Sequence, residues 1–221
     1  MSSIRVVVCG FESYEGIDVN PSKLVAQSVA DEGITLADTT VSVTSVLLPM
    51  SFQHAWPTLK KTLDEVQPHL ILATGLKRNS RTVALERCAK NIIDASHPDA
   101  DNAQPRKEPV IEGGPQAYWT CLPLRAISKK FAEHDIPVTF SSDAGTFVCN
   151  SLFYELLDWA SKQPGAAAGF MSFPQVENHV GYAKPMKLGM MIDAARDVIT
   201  TSIEYQLHDF SHDMLLPAEA A

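Results

Sequence analysis

The feature that most constrains the fold is a set of short, continuous apolar runs separated by segments with helical periodicity. Two such runs are Ile4 to Cys9 (IRVVVC) and Leu70 to Ala73 (LILA). They lack the alternation of apolar and polar residues that marks a strand with one solvent-exposed face. Runs of this kind are typical of parallel strands covered by helices on both sides. The sequence therefore predicts an α/β fold, a single-domain three-layer α/β/α sandwich with a mixed, mostly parallel central sheet.

The other predicted elements alternate along the chain as such a sandwich requires. Further strands are predicted at residues 40–48, 136–140 and 169–174. Helices are predicted from Pro21 to about Glu32, from a Ser51 cap to Val66, from Pro123 to about His134, and from Leu188 to Leu207. We expect residues 1–207 to form one α/β domain and residues 208–221, which have no periodicity, to fray.

The charge balance disfavours two classes of partner. The 221 residues carry a formal net charge of −8, whereas binding to nucleic acid or an anionic membrane is dominated by basic side chains. We therefore expect a small-molecule or peptide partner, with no nucleic acid and no membrane.

The four cysteines, Cys9, Cys88, Cys121 and Cys149, do not form a metal-binding pattern. None is spaced as C-x-x-C, and no histidines stand at metal-like spacing, so we expect neither a metal nor a cofactor. The first residues do not resemble a signal peptide, and no apolar run is long enough to span a bilayer. The expected location is the cytoplasm, with reduced thiols.

Cys149 is a candidate nucleophile because of the turn that contains it. Residues 144–150 (AGTFVCN) connect the predicted strand 136–140 to a helix at 151–160. Amides at a helix start lack intrahelical acceptors and the dipole is positive there, which favours a thiolate, the form that attacks carbonyl carbon. On this interpretation Cys149 should alkylate faster than the other cysteines below about pH 8. The alternative is a small buried apolar residue.

Glu86 and the basic segment before it are the other candidate site features. Glu86 lies among apolar residues, so we expect it to be at least partly buried and paired, with Arg87 or with a histidine. Lys77, Arg78 and Arg81 lie in the loop after Gly75. Such a cluster usually forms a solvated surface, and a bound carboxylate is the alternative.

Several segments, in this order along the chain, resemble the pyroglutamyl peptidase type I (pyrrolidone-carboxylate peptidase) family. They are Gly10-Phe11-Glu12, Asn20-Pro21-Ser22, Glu86-Arg87, and residues 91–95 (NIIDA), 108–115 (EPVIEGGP), 144–150 (AGTFVCN) and 168–170 (AGF). The resemblance implies a phosphorylase/hydrolase-like fold and a cysteine exopeptidase that removes an N-terminal pyroglutamyl residue. It also implies small peptides with N-terminal pyroglutamate as partners, and a homodimer or homotetramer.

The resemblance assigns two members of a catalytic triad, but the third member, a histidine, is missing from this chain. Cys149 matches the nucleophile and Glu86 the carboxylate that orients a histidine, but Ser172 occupies the histidine position. A serine hydroxyl neither holds a proton near neutral pH nor passes one to the leaving amine. We therefore expect an impaired peptidase, unless another base such as His179, seven residues further on, reaches Cys149.

The resemblance also implies a set of substrate-binding residues. Phe11 and Tyr14 match two aromatic positions that wall the pyrrolidone ring, and Leu76, Phe147 and Val148 match further positions of that site. Independently of the resemblance, Phe11 and Tyr14 come just after the first predicted strand, and ligands of α/β sheets bind at the carboxyl ends of strands. The alternative is that the two side chains anchor the loop.

The loop after Gly75 departs from the family, which has small residues there and then an arginine. This chain has Ser80 at the arginine position and Arg81 one residue later, so Arg81 is a shifted candidate for substrate contact. Two other functions stay open. One is a non-catalytic homologue that binds a pyroglutamyl-like ligand or a protein partner. The other is hydrolysis or phosphorolysis of a different substrate on the same scaffold.

Overall fold

The computed structural model describes residues 2–14, 16–37, 39–176 and 185–208. The strands are β1 (Ser2–Phe11), β2 (Thr39–Leu48), β3 (Leu70–Leu76), β4 (Val83–Glu86), β5 (Cys88–Lys90), β6 (Ala117–Trp119), β7 (Val138–Ser141) and β8 (Ala167–Phe173). The helices are α1 (Pro21–Glu32), α2 (Ala55–Val66), α3 (Leu124–Glu133), α4 (Val148–Ala160) and α5 (Leu188–His208). His179 and residues 209–221 of the predicted tail lie outside the described residues.

The central sheet has six strands in the order β2-β1-β3-β8-β4-β7. The pair β4–β8 is antiparallel and every other pair is parallel, which confirms the mixed, mostly parallel sheet predicted from the apolar runs. The carboxyl ends of β3 and β8 therefore lie at one edge of the sheet. None of the helices in the described part of the chain is long and apolar enough to cross a membrane.

Two apolar clusters, one on each face of the sheet, explain why the strand sequences are continuously apolar. In β1, Val6 and Val8 pack with α1, α3 and α5, whereas Val7 and Cys9 pack with α2 and α4. Because successive side chains of a strand point to opposite faces, a strand covered on both sides must be apolar at every position. This confirms the predicted three-layer α/β/α sandwich.

Some element boundaries differ from the sequence predictions. Helix α2 begins at Ala55, after a turn at residues 52–54, although the Ser51 hydroxyl accepts the His54 amide (3.0 Å) as the predicted cap would. Helix α4 begins at Val148, three residues earlier than predicted. The short antiparallel pair β5–β6 was not predicted, because three-residue strands carry too little periodicity to be recognised.

Candidate active site

Cys149 is the second residue of α4, and the residues beside it hold the helix start in place. Val148 is buried in the core. The Asn150 side chain accepts a hydrogen bond from the Lys90 amide (3.0 Å) and donates to the carbonyls of Lys90 (2.9 Å) and Ile92 (3.0 Å). The helix start is thus tied to the segment that follows Glu86.

The sulfur of Cys149 lies over the end of β3. A Cβ atom added to Gly75 would lie 3.3 Å from Cys149 Sγ and 2.8 Å from the Phe170 ring, so only glycine allows this approach. Gly75 is the parallel partner of Ser172 on β8, and paired residues face the same side of a sheet. Cys149 Sγ and the Ser172 side chain therefore lie on one face, above neighbouring strands.

Glu86 lies on the opposite side of Ser172 from Cys149, on the same face of the sheet. In the antiparallel pair β4–β8, Ser172 is opposite Ala84, so Glu86, two residues further, shares its face. The Ser172 hydroxyl donates to Glu86 Oε1 over 2.9 Å, and Glu86 is only 1% exposed. The order across the sheet is thus the Cys149 thiol of α4 above the end of β3, the Ser172 hydroxyl on β8 and the Glu86 carboxylate on β4.

Lys77 is the charged partner of Glu86. The sequence left two interpretations open for this lysine, a solvated surface and a bound carboxylate. Its ammonium donates to Glu86 Oε1 (3.2 Å), Ser141 Oγ (3.0 Å) and the Asp143 carbonyl (2.8 Å). A buried carboxylate requires such a partner, and Lys77 directly follows β3 at the site edge. Lys77 thus binds a carboxylate of the chain itself, and Glu86 is paired with Lys77 and Ser172 rather than with Arg87 or a histidine.

The protonation state of Cys149 differs from the sequence expectation. Burial raises the pKa of the Cys149 thiol to about 12, and the Glu86 carboxylate acts in the same direction. Burial disfavours the charged thiolate, and a negative charge nearby disfavours a second one. The predicted bias of Cys149 toward thiolate is therefore corrected: the thiol form dominates at neutral pH.

This protonation state sets the expected alkylation behaviour of Cys149. Because the thiolate is the reactive form, the rate with iodoacetamide should rise about tenfold per pH unit from about pH 7 to about pH 9 and should not exceed that of the exposed Cys121 at neutral pH. Peptide mass spectrometry at successive time points measures the alkylation rate of each of the four cysteines separately. A rate at Cys149 that levels off below about pH 8 would contradict the raised pKa.

Cys149, Glu86, Ser172 and Lys77 belong to the polar part of one cleft with a volume of about 530 Å³. Its apolar part is formed by Tyr14, Met50, Leu76 and Phe147, together with the ring of His97. Apolar walls with a few convergent polar groups are characteristic of small-ligand sites.

His97 was not singled out from the sequence, and the tertiary structure brings it into the cleft. Its ring centroid lies 4.4 Å from that of Phe147 and 6.3 Å from that of Tyr14. The loop folds inward because the Asp99 carboxylate accepts backbone amides of residues 52, 101 and 103. A histidine in a Pro- and Asp-rich loop has no sequence signal that separates it from a surface residue.

Known proteins are similar to this chain over nearly its full length. The pyrrolidone carboxyl peptidase structure from Thermococcus litoralis superposes with a TM-score of 0.88 at 30% identity, covering 97% of this chain and 99% of that one. Pyrrolidone-carboxylate peptidases from Chromobacterium violaceum (37% identical; 90% of this chain, 92% of the relative) and Pyrococcus furiosus (32%; 91% and 99%) are similar in sequence. The family model described as pyroglutamyl peptidase matches residues 4–208. The chain belongs to the pyroglutamyl peptidase family.

Membership of the pyroglutamyl peptidase family confirms the resemblance drawn from the sequence motifs. The three residues that match triad positions, Cys149, Glu86 and Ser172, line one cleft, although their roles stay predictions. Tyr14, Leu76 and Phe147, predicted as substrate-binding residues, line the same cleft.

Three other predicted substrate-binding residues do not have side chains in the cleft wall. Phe11 is fully buried with α2 and α4, because it continues the Val7 and Cys9 face of β1. Val148 packs into the same core. Arg81 is exposed in the turn before β4. None of these three side chains is among those that line the cleft, and their contact with substrate stays a prediction.

Proposed function

We propose that this chain is a cysteine hydrolase that binds peptides with an N-terminal pyroglutamyl residue and removes that residue slowly. The observation that carries the proposal is the arrangement of three residues in one cleft: Cys149 of α4 above the end of β3, Ser172 on β8 and Glu86 on β4. The arrangement supplies a nucleophile and a carboxylate, while a serine stands between them.

The chemical step assigned to Cys149 follows from its position at the start of α4. The Sγ atom attacks the pyroglutamyl carbonyl carbon, and amides at the helix start, which have no intrahelical acceptor, donate to the oxyanion. The C–N bond then breaks, the amine leaves with a proton, and a thioester forms. Water hydrolyses the thioester and releases pyroglutamate.

Turnover is slow on this proposal because proton transfer lacks a suitable base. The Ser172 hydroxyl donates to Glu86, and a hydroxyl does not accept the thiol proton near neutral pH. Glu86 and burial keep the thiol protonated. When a serine protease loses a triad member, the residual rate is only roughly 10³ to 10⁴ times that of the uncatalysed reaction in water. Substrate binding and the oxyanion hole account for this residual rate enhancement.

The apolar part of the cleft suits a pyrrolidone ring. The ring is flat and largely apolar with one lactam group, and aromatic side chains bind such groups through their faces and edges. Tyr14, Phe147 and His97 stand close enough together to form that wall. This supports small peptides with N-terminal pyroglutamate as the substrate class.

The second candidate function is a non-catalytic homologue that binds a pyroglutamyl-like ligand. The pairing of Glu86 Oε1 with both Lys77 and Ser172 favours it, because the carboxylate is partnered without an imidazole. On this function Cys149 is a packing residue that contacts the ligand and does not react with it.

Turnover of a fluorogenic pyroglutamyl amide at high enzyme concentration tests the proposal. We expect slow but measurable release in the native chain and none from Cys149→Ala, because the amide bond is broken by the sulfur. Cys121→Ala, which removes an exposed thiol elsewhere, is the matched control and should keep the native rate. Equal release from the native chain and Cys149→Ala would refute the hydrolase, and calorimetric binding of pyroglutamyl amide to both would then support the binding function.

A further inference from the structure

The cleft has two chemically different ends, and the order of the strands places Cys149 between them. Phe147 packs edge-on against Phe52, which follows β2, with ring centroids 5.1 Å apart. Tyr14 follows β1. The aromatic end therefore lies toward β1 and β2 in the sheet order β2-β1-β3-β8-β4-β7. Cys149 Sγ lies beyond it, above Gly75 of β3.

The opposite end of the cleft is polar and basic. Lys77, directly after β3, reaches toward β7 and donates to Ser141 Oγ (3.0 Å). Arg78 and Asn79 continue the same loop, and both are exposed and line the cleft. The loop leads from β3 to β4, so it passes the end of β8, which lies between them. This basic rim, residues 77–79, is therefore on the opposite side of the nucleophile from the aromatic end.

The basic rim carries more positive charge than the neighbouring carboxylates require. Two carboxylates line the cleft in the described part of the chain, and each has a lysine: Glu86 pairs with Lys77 (3.2 Å) and Asp143 with Lys90 (3.3 Å). Arg78 adds a further positive charge to this rim, although the whole chain has a net charge of −8. A guanidinium has five N–H donors, so it can bind a carboxylate of a ligand while it keeps contacts within the chain.

A substrate with its pyrrolidone ring in the aromatic end extends its second residue over the basic rim. The scissile carbon must lie at Cys149 Sγ, so the ring and the leaving amine point to opposite sides of the sulfur. The loop between β3 and β4 crosses two strand spacings, or about 10 Å. An extended residue spans about 3.5 Å, so the residue after the scissile bond lies within that crossing, next to Arg78.

We propose that the basic rim selects peptides whose second residue carries a carboxylate, and that Arg78 binds this carboxylate. The proposal rests on the proposed function, because it assigns the leaving side of the same cleft. The carboxylate is an acidic side chain or the C-terminus of a pyroglutamyl dipeptide. Both are planar groups that a guanidinium binds through paired N–H···O bonds. Because Arg78 does not touch the reacting atoms, its contact lowers KM and leaves kcat unchanged.

Four peptides measure this selectivity by chromatographic release of pyroglutamate. Pyroglutamyl-glutamine amide is the neutral reference, and it is compared with pyroglutamyl-glutamate amide, pyroglutamyl-glutamine with a free C-terminus, and pyroglutamyl-lysine amide. At low salt we expect KM to be about tenfold lower for a carboxylate peptide than for the reference, and higher for the lysine peptide. The difference should shrink in about 1 M salt, because the rim is exposed. A gain for the glutamate amide assigns the site to an acidic side chain, and a gain only for the free dipeptide assigns it to the C-terminus.

Variants of Arg78 separate a charge contact from a structural role. Arg78→Gln should bring KM of the acidic peptides to that of the reference, and Arg78→Glu should reverse the preference toward the lysine peptide, which loss of loop structure would not do. Arg125→Gln is the matched control and should keep the native preference, because Arg125 is exposed on α3, which packs on the other face of the sheet. If Arg81→Gln removes the preference and Arg78→Gln does not, the assignment to Arg78 is refuted.

Calorimetric binding to Cys149→Ala separates failure of the carboxylate site from failure of the hydrolase. If the native chain releases pyroglutamate from all four peptides with equal KM, the carboxylate site is refuted and the hydrolase stands. If no peptide is turned over but Cys149→Ala binds the acidic peptide about tenfold more tightly than the reference, and added Arg78→Gln abolishes this difference, the site stands and the hydrolase is refuted. Equal affinities without turnover refute both.

Discussion

Replacing Ser172 with histidine should raise kcat/KM for a pyroglutamyl amide by about 10² to 10⁴-fold, the usual contribution of a positioned general acid–base. The strand pairing places residue 172 between the sulfur above Gly75 and the carboxylate of Glu86. An imidazole at this position would donate one N–H to Glu86 and accept the thiol proton with its other nitrogen. Lys77 and Ser172 both use Oε1, so the second, buried oxygen of Glu86 has no hydrogen-bond partner among the described residues.

The pH dependence gives this prediction a second readout. In the native chain the pKa of the Cys149 thiol is about 12, so kcat/KM should still be rising at alkaline pH because the thiolate fraction increases. In Ser172→His an imidazolium next to the sulfur would offset the Glu86 charge and lower that pKa. The profile should then level off near neutral pH.

Matched variants locate the cause of the Ser172→His effect. Ser172→Ala removes the hydroxyl without adding a base and should stay as slow as the native chain, and Ser172→His with Cys149→Ala should be inactive. The prediction is wrong if Ser172→His does not exceed Ser172→Ala. A gain that appears only when Lys77→Ala is added would show that the lysine holds the carboxylate too firmly for the imidazole.

Substituting Gly10 with alanine should destabilise the protein by about 3 kcal/mol, at the upper end of the usual cost of overpacking. A Cβ atom at this position would lie 2.1 Å from the Ser22 carbonyl oxygen, 2.5 Å from its carbon and 2.9 Å from the Lys23 nitrogen. These are backbone atoms of the first turn of α1, so no side-chain rotation relieves the contact. The helix or the strand must move instead.

The surroundings of Gly10 limit such a movement. The Ser22 hydroxyl accepts the Phe11 amide (3.0 Å), and the Asn20 side chain caps α1 by accepting the Ser22 amide (3.1 Å). Thr74 on β3 donates to the Cys9 carbonyl (2.8 Å) on the other side. A shift of α1 away from β1 would break these bonds in addition to opening the core.

Gly189→Ala is the matched control for Gly10→Ala. Gly189 is in α5, and an added Cβ would have nothing within 4 Å, so alanine should be neutral or stabilising there. The midpoint of thermal unfolding should fall by about 2 to 4 °C for each kcal/mol lost in a chain of this size. Similar midpoints for Gly10→Ala and Gly189→Ala would contradict the close approach of β1 and α1.

Much of the fold could be predicted because its signals are local. The apolar run of β1 and the Asn20-Pro21-Ser22 start of α1 are each contained in a few residues. The short strands β5 and β6 escaped prediction because their pairing depends on segments almost 30 residues apart, with three residues in each strand. Phe11 was misplaced for a related reason: an aromatic residue at a strand end can face either the core or a pocket.

The sequence by itself determined the layered α/β architecture, the family, and the identity of the residues that match the nucleophile and the carboxylate. Only the tertiary structure decided the environment of those groups: Lys77 at Glu86, His97 in the cleft, and a Cys149 thiol whose pKa is raised to about 12. Periodicity and motifs report contacts between near neighbours in the chain. Charge, burial and proton affinity depend on groups that are distant in sequence and become adjacent only when the strands pair.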